Sequence, residues 1–180
     1  MFFKLSYDLG IFIYYTIILL SSFFGNEKAK KWISGRKDWG KKIRNNKKQN
    51  VFDFWVHCSS LGEFEQVRPI IETLKIDLDY SVLLSFYSPS GYEIRKDYVH
   101  ADLVVYLPLD TRSNAKLFMD TCKPKNVIWV KYDLWLNFLS EIKNNNIPVY
   151  LIGAIVDKTS YGFFKKMLFE RAVKYFNYIF

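Results

Sequence analysis

The loop HCSSLGE at residues 57–63 is the stretch of this chain that could most readily do chemistry. It follows an apolar, aromatic run and ends on Glu63, at the predicted start of a helix. The N–H groups and the dipole of a helix start favour negative charge nearby, so Glu63 could be a purely structural residue there. The same carboxylate could act as a general base that removes a proton from a bound hydroxyl group. The residues alone leave both interpretations open.

Other candidate binding residues lie in three loops. In the first loop, Ser60 and Gly62 precede Glu63, and Gly62 permits a tight turn and a close approach of a ligand to the backbone. The second loop, SPSG, has the composition of an ordinary turn, but beside the first loop it would form the other wall of a cleft. In VKYDLW (130–135), Lys131 could bind a phosphate or a carboxylate, whereas Asp133 could cap the next helix. The residues of the second loop are Ser88, Pro89, Ser90 and Gly91.

Other kinds of site have weaker support. His57 beside Cys58 and Ser60 could indicate a hydrolase, but neighbouring strand residues point to opposite faces, and no G-x-S-x-G motif is present. Cys58 and Cys122 are far apart in sequence, so neither zinc nor a disulfide is expected. The DLD sequence at 77–79 resembles a metal-binding DxD motif. It falls between a helix and the next strand, away from the loops above, so we do not expect it to bind a metal. No metal site is predicted, and no nucleotide-binding glycine motif is present.

The elements that must position these loops alternate regularly after residue 50. Continuous apolar strands joined through helices predict an α/β fold, a Rossmann-like, doubly wound parallel sheet covered on both faces. Ligands of such folds bind at the carboxyl ends of the strands, where the three loops are expected. The predicted strands are 51–58, 80–87, 101–109, 126–132, 148–156 and a last one beginning at 178. The predicted helices include 63–75, 91–98, 112–122 and 159–175.

The segments before residue 50 differ in composition from the rest. Residues 9–26 form an uncharged run of 18 residues, which is short for a membrane-spanning helix. It could cross the bilayer, lie in its interface, or be a buried core helix. Residues 28–48 then carry ten Lys or Arg against the single acid Asp38. Such a cationic segment fits anionic headgroups, and the positive-inside rule places everything after residue 26 in the cytoplasm.

These patterns predict three parts: a membrane-anchor helix at 1–27, a basic juxtamembrane segment at 28–50, and an α/β domain at 51–180. The net charge of +8 belongs to the basic segment, because the remainder is close to neutral. Arg36, Lys37, Lys41 and Lys42 are the expected contacts with the membrane or with a phosphate. The partner is therefore expected to be an anionic membrane surface, and no nucleic-acid partner is expected.

Taken in order, several stretches resemble one family. They are GRKDW (35–39), WVHCSSLGEFEQVRPII (55–71), SFYSPSGYE (85–93), VYLPLD (105–110) and NVIWVKYDLWLNFL (126–139). Together with the apolar N-terminus they resemble the N-terminal half of the 3-deoxy-D-manno-octulosonic acid (Kdo) transferases, over about residues 10–180. The S-x-G-E and SPSG loops are the specific part of the resemblance.

The resemblance implies an inverting glycosyltransferase of the two-domain GT-B type. It would transfer Kdo from CMP-Kdo to lipid A precursor in lipopolysaccharide biosynthesis, at the cytoplasmic face of the inner membrane and without a cofactor or metal. This chain would be the acceptor-binding half, and the domain that binds the CMP-sugar would be absent. Glu63 falls on the family's catalytic base. The chain departs from the family pattern V-E-x-E-x-W, because Lys131 replaces the first acid while Asp133 and Trp135 keep the rest.

An alternative hypothesis needs no catalysis. The chain could be a membrane-tethered α/β module that binds anionic lipid or a protein partner. That hypothesis predicts binding that depends on residues 28–48 and does not depend on Glu63.

Overall fold

The centre of the fold is a parallel β-sheet. A computed structural model describes residues 2–45, 51–131, 133–154 and 163–180. Within them the strands are β1 (Phe52–Cys58), β2 (Val82–Phe86), β3 (Leu103–Tyr106), β4 (Pro124–Val130), β5 (Val149–Ile152) and β6 (Tyr178–Ile179). All pairings are parallel, in the order β3-β2-β1-β4-β5-β6. This is the strand order of the predicted Rossmann-like fold, and the order reverses between β1 and β4.

Helices cover the sheet, and hydroxyl side chains start three of them at its carboxyl edge. The helices are α1 (Phe2–Phe23), α2 (Glu27–Gly35), α3 (Trp39–Arg44), α4 (Leu61–Glu72), α5 (Pro89–Arg95), α6 (Arg112–Cys122), α7 (Leu136–Asn144) and α8 (Phe163–Ala172). Ser60, Ser88 and Thr111 each accept a backbone N–H at the starts of α4, α5 and α6. These caps satisfy N–H groups that a helix start leaves unpaired. They therefore fix the point at which each loop ends and its helix begins.

The hydrophobic core has two parts, one on each face of the sheet. Trp55 and Trp129 point to the face covered by α6 and α7, where they pack with Phe118 and Phe138. Val56, on the opposite face, packs under α4 with residues that include Phe64, Val67 and Ile71. Alternate residues of β1 therefore serve opposite faces, as expected for a strand buried on both sides.

Helix α1 lies against the α/β body along one side. The hydroxyl of Tyr7 donates to Asp110 Oδ2 at 2.6 Å, and Asp8 pairs with Arg112 at 2.8 Å. Further along, Ile11 is buried and Tyr15 packs beside Trp32. Asp110 also accepts the backbone N–H groups of residues 137 and 138, so one carboxylate joins α1 to the start of α7. Burial raises the pKa of Asp110 to about 6, although these hydrogen bonds oppose the rise.

The opposite side of α1 is exposed and apolar. Leu5, Leu9, Phe12, Leu20 and Phe23 are each more than half exposed. By length and composition the helix could cross a membrane, and only 6% of its apolar stretch is buried. The possibility that residues 9–26 form a buried core helix is therefore wrong. One side of α1 packs against the α/β body, and no described residue covers the other side.

The basic segment folds into α2 and α3, and Arg36 behaves differently from its neighbours. Its guanidinium donates to the carbonyl oxygens of residues 107, 32 and 87 at 2.8, 3.1 and 2.6 Å. It also lies 3.7 Å from the ring centre of Trp32. Burial lowers its pKa to about 10. Three donors of Arg36 therefore hold loops together, whereas Lys37, Lys41 and Lys42 are exposed.

Element boundaries differ from the predictions in small ways. Helix α4 begins at Leu61, two residues before the predicted start, because Ser60 is already its cap. The third strand is shorter than predicted and ends at Tyr106. The predicted ends of the fifth strand (155–156) and the start of the last helix (159–162) lie outside the described residues.

Candidate active site

Three loops with candidate residues meet at the carboxyl edge of the sheet. The loop after β1 contacts the loop after β2, because the backbone N–H of Ser88 donates to Ser59 O at 2.7 Å. It contacts the loop after β4 as well, because the Ser59 hydroxyl donates to Asp133 Oδ2. The second contact crosses between β1 and β4, where the strand order reverses. That crevice is where doubly wound sheets bind their ligands.

Glu63 lies in the first turn of α4, and one of its carboxylate oxygens is fixed. Oε2 accepts the backbone N–H of Ser59 at 2.5 Å, while the Glu63 N–H points to Ser60 Oγ at 3.4 Å. This reciprocal arrangement is close to a capping box. The Ser60 N–H also interacts with this carboxylate, and the side chain is half-buried. Glu63 is thus both a structural residue and a carboxylate positioned by backbone N–H groups.

The surroundings of Glu63 raise its pKa. Burial is the largest cause, and the negative charge of Asp133 adds to it. The N–H groups of Ser59 and Ser60 and the positive charge of Lys131 oppose the rise. A carboxylate with a raised pKa holds a proton more strongly, which makes it a stronger general base.

Asp133 is the second acid of the site. Burial raises its pKa, and the hydrogen bond from the Ser59 hydroxyl opposes that rise. Its backbone carbonyl accepts the indole N–H of Trp129 at 2.6 Å, which ties this loop to the end of β4. Asp133 does not cap the following helix through its side chain, because α7 begins at Leu136 after Trp135. The capping alternative for Asp133 is therefore wrong.

Lys131 follows β4 in a left-handed backbone conformation, with φ of 55°. Its side chain passes over Gly153, where an added Cβ would lie 3.5 Å from both Lys131 Cγ and Gln66 Oε1. Within the described part of the chain, Lys131 forms no ion pair shorter than 4 Å. Its charge nevertheless reaches Glu63, since it lowers the pKa of that carboxyl group.

The two loop glycines have different surroundings. Gly62 lies in the first turn of α4 without a positive φ, and a Cβ there would meet nothing within 4 Å. The fold therefore does not require glycine at 62, and the open space is available to a ligand. Gly91 is buried, and a Cβ there would lie 2.3 Å from the ring of Phe86. Close packing alone explains Gly91.

The remaining residues of the second loop divide by exposure. Ser88 caps α5, its hydroxyl lies 2.9 Å from that of Ser90, and Pro89 is buried at the first helical position. Only Ser90 is exposed. Ser88 and Ser90 therefore present polar atoms at the edge of the site, whereas Pro89 is buried between them in sequence.

His57 is fully buried on the face opposite Cys58. Its Nδ1 lies 2.9 Å from Ser85 Oγ, and its ring centre lies 4.4 Å from that of Trp129, with the two rings tilted by 50°. Cys58 is in the other half of the core, where burial raises its pKa. The pairing that a hydrolase would need between His57 and Cys58 or Ser60 is not formed, so that hypothesis is wrong. Within the described residues, no group of three or more His, Cys, Asp or Glu side chains could bind a metal.

Sequence reasoning missed two residues at this edge. Ser59 forms hydrogen bonds with both Glu63 and Asp133. The only sequence signal for this role is its position at a strand end, next to another serine. Tyr87 stacks on Trp135 at 4.3 Å, and Arg36 donates to its carbonyl. The contacts of Arg36 span 51 and 71 residues of sequence, so no local pattern could have revealed them.

Comparison with known proteins identifies the family of the chain. Residues 33–180 match the family model of the 3-deoxy-D-manno-octulosonic-acid transferases (Kdo transferases). The chain belongs to this family. The matched range contains all three loops of the carboxyl edge, so Glu63, Ser88 and Asp133 lie in a Kdo transferase N-terminal region.

Individual relatives are similar at moderate identity. A 3-deoxy-D-manno-octulosonic acid transferase of Aquifex aeolicus is 32% identical over 109 residues, which is 58% of this chain and 30% of the relative. The transferase of Haemophilus influenzae is 27% identical over 59% of this chain and 25% of the relative. A bifunctional glycosyltransferase/methyltransferase of Fusobacterium nucleatum is 25% identical over 64% of this chain and 18% of the relative. The chain spans less than a third of the length of these relatives.

Proposed function

We propose that this chain is the acceptor-binding half of an inverting Kdo transferase of the GT-B type, which transfers Kdo from CMP-Kdo to lipid A precursor in lipopolysaccharide biosynthesis. The observation that carries the proposal is the position of Glu63. Its carboxylate lies at the crevice between β1 and β4, and the Ser59 N–H fixes one of its oxygens.

In the proposed reaction Glu63 acts as the base. One of its carboxylate oxygens takes the proton of an acceptor hydroxyl while that hydroxyl oxygen forms a bond to the anomeric carbon of Kdo. The bond from this carbon to the phosphate of CMP breaks, and CMP leaves with the electron pair. One displacement inverts the configuration, and the proton on Glu63 passes to solvent after product release. The Ser59 N–H keeps the carboxylate in place throughout, so little reorganisation is needed.

The proposed acceptor site surrounds this carboxylate. Open space at Gly62 lets the acceptor approach the helix start, and Ser60, Ser88 and Ser90 offer hydroxyl groups to it. Lys131 supplies a positive charge beside Glu63, suited to a phosphate of the acceptor. No cofactor is needed. CMP-Kdo would bind mainly to a second domain outside these 180 residues, so the chain alone is expected to transfer no sugar.

The proposed location is the cytoplasmic face of the inner membrane, where a phosphorylated lipid acceptor resides. The exposed apolar stripe of α1 would enter the interface, and Lys37, Lys41 and Lys42 would face the headgroups. We favour a helix that lies in the interface over one that crosses the bilayer. Crossing would place the Asp8–Arg112 ion pair and the Tyr7–Asp110 contact at membrane depth, where charges are costly.

The test is sugar transfer by the full-length protein that contains this chain, with CMP-Kdo and lipid A precursor. Glu63→Gln should lower the rate at least about a hundred-fold, because a general base contributes that much or more. The matched control is Glu65→Gln, two positions along the same helix, which should keep most of the activity. Transfer that survives Glu63→Gln would overturn the assignment of the base.

A non-catalytic module that binds membranes is the second candidate, and the exposed stripe of α1 favours it. It predicts no sugar transfer by the unsubstituted full-length protein, and membrane binding that Glu63→Gln leaves unchanged. The same assay therefore separates the two candidates.

A further inference from the structure

A cationic hollow of about 460 Å³ lies away from Glu63, where α1 begins beside α7 and α8. Four basic side chains line it: Lys4 from α1, Lys143 from α7, Arg171 from α8, and Lys174 from the 3₁₀ turn that follows α8. No acidic residue is among the described residues that line it. Four like charges around one hollow repel each other, and an anion bound between them would relieve that repulsion.

Two of these cations are held in place by aromatic and backbone contacts. Arg171 lies 3.8 Å from the ring centre of Phe3, and Lys143 Nζ donates to Lys174 O at 2.9 Å. Lys143 also lies 5.6 Å over the ring of Tyr175. The side chains of Lys4 and Lys174 are exposed and, within the described part of the chain, form no ion pair. Two of the four cations are therefore held in place, and two exposed ammonium groups accompany them.

The hollow borders the apolar stripe of α1. Leu5 follows Lys4 directly and is 57% exposed, and Leu9 lies one turn further at 59%. A ligand held here would have an anionic group among the basic side chains and hydrocarbon along α1. A second hollow of about 260 Å³ shares Lys143, Lys174 and Tyr175, which leaves room for a headgroup larger than one phosphate.

We propose that this hollow binds the phosphate headgroup of an anionic membrane phospholipid, whose acyl chains lie along the exposed stripe of α1. None of the residues that line it belongs to the candidate active site, and the proposal does not depend on the sugar-transfer proposal. One bound lipid would fix the rotation of α1 about its own axis, and so the orientation of the whole chain at the membrane surface.

The test uses a soluble short-chain lipid, so that binding to one site is separated from general attraction to a charged surface. Dihexanoyl phosphatidylglycerol, kept below its micellar concentration, is titrated into the full chain by calorimetry. We expect saturable binding of one lipid per chain, and much weaker binding of dihexanoyl phosphatidylcholine. Glycerol phosphate and inorganic phosphate are titrated separately. If either binds as tightly as the lipid, the site takes a soluble phosphate and the lipid assignment is overturned.

Matched variants locate the binding. Lys4→Gln combined with Lys174→Gln should weaken lipid binding about thirty-fold, since each basic residue near a charged lipid headgroup contributes about a five-fold factor. The control, Lys96→Gln combined with Lys123→Gln, removes the same charge from exposed positions elsewhere and should change binding less than about two-fold. Equal losses in the two variants, or no lipid binding by the unsubstituted chain, would overturn the proposal. Glu63→Gln should leave lipid binding unchanged.

Discussion

Glu63 and Asp133 are joined through a single residue, because the backbone N–H of Ser59 donates to Glu63 and its hydroxyl donates to Asp133. The two acids come from loops that follow β1 and β4, the strands between which the sheet order reverses. Burial raises the pKa of both carboxyl groups. Ser59 therefore sets the distance between two acids that would otherwise repel each other.

Ser59→Ala should destabilise the chain by about 1.5–3 kcal/mol, because it removes a hydrogen bond to a charged group. The pKa of Asp133 should rise further, since the hydroxyl of Ser59 holds it down. Urea unfolding measures the first effect, and carboxyl ¹³C NMR measures the second. The control is Ser90→Ala, an exposed serine, for which we expect a change within about 0.5 kcal/mol. A Ser59→Ala variant as stable as this control would contradict the role of Ser59.

Gly62→Ala and Gly91→Ala should behave in opposite ways. Alanine at 62 meets no atom within 4 Å, so stability should not fall, but the KM for the acceptor should rise if the acceptor occupies that space. Alanine at 91 overlaps the ring of Phe86, so we expect a loss of about 1–3 kcal/mol. Thermal unfolding and acceptor kinetics of the full-length protein measure the two effects. An unchanged KM in Gly62→Ala would remove that glycine from the acceptor site.

Much of the fold could be predicted because its signals are local. Strand β1 is rich in aromatic residues, and Ser60 marks the start of α4. The Ser60–Glu63 spacing even indicates the capping arrangement that the structure contains. What sequence could not provide are contacts between distant segments, such as Tyr7 with Asp110, 103 residues apart. No local pattern indicates that a hydrophobic helix docks on this carboxylate.

His57 should make stability depend on pH. Burial lowers its pKa from the ordinary 6.5 to about 3, so the folded chain keeps it neutral while the unfolded chain protonates it below 6.5. Its contribution to stability is therefore full above pH 6.5 and is lost as the pH falls toward 3. His57→Gln should be less stable overall but should lose less stability between pH 6.5 and 4. Unfolding free energies across this range test it, with His100→Gln as the control. Parallel curves for the chain and His57→Gln would rule this out.

The exposed stripe of α1 should govern partitioning onto uncharged vesicles. Leu9→Ser combined with Phe12→Ser removes two side chains that are more than half exposed, and we expect at least about a thirty-fold weaker partition coefficient. The fold should survive, because neither residue is buried. Leu117→Ser on α6, also an exposed leucine, is the control, measured by vesicle sedimentation. If the Leu9→Ser/Phe12→Ser variant partitions like the unsubstituted chain, α1 is not the membrane-binding surface.

Composition predicted a cationic surface in the basic segment, but it could not show which basic residues are exposed and which support the fold. Lys41 and Lys42 are exposed, as a cationic surface requires, while Arg36 lies among Trp32, Tyr87 and Tyr106 and bonds three carbonyl oxygens. An arginine can face a membrane as a surface charge or hold backbone carbonyl groups inside the fold. Which role it has depends on where distant loops lie. The sequence likewise could not show that the charge of Lys131 lowers the pKa of Glu63, because that effect depends on how β4 ends beside α4.

The pH dependence of sugar transfer by the full-length protein tests the role of Glu63 most directly. If Glu63 is the base, kcat/KM should fall as the pH is lowered through a pKa above the ordinary glutamate value of 4.5. This acidic limb should move to lower pH in Asp133→Asn, because the charge of Asp133 helps to raise the pKa of Glu63. A limb that stays at the same pH in Asp133→Asn, together with full activity of Glu63→Gln, would contradict the account.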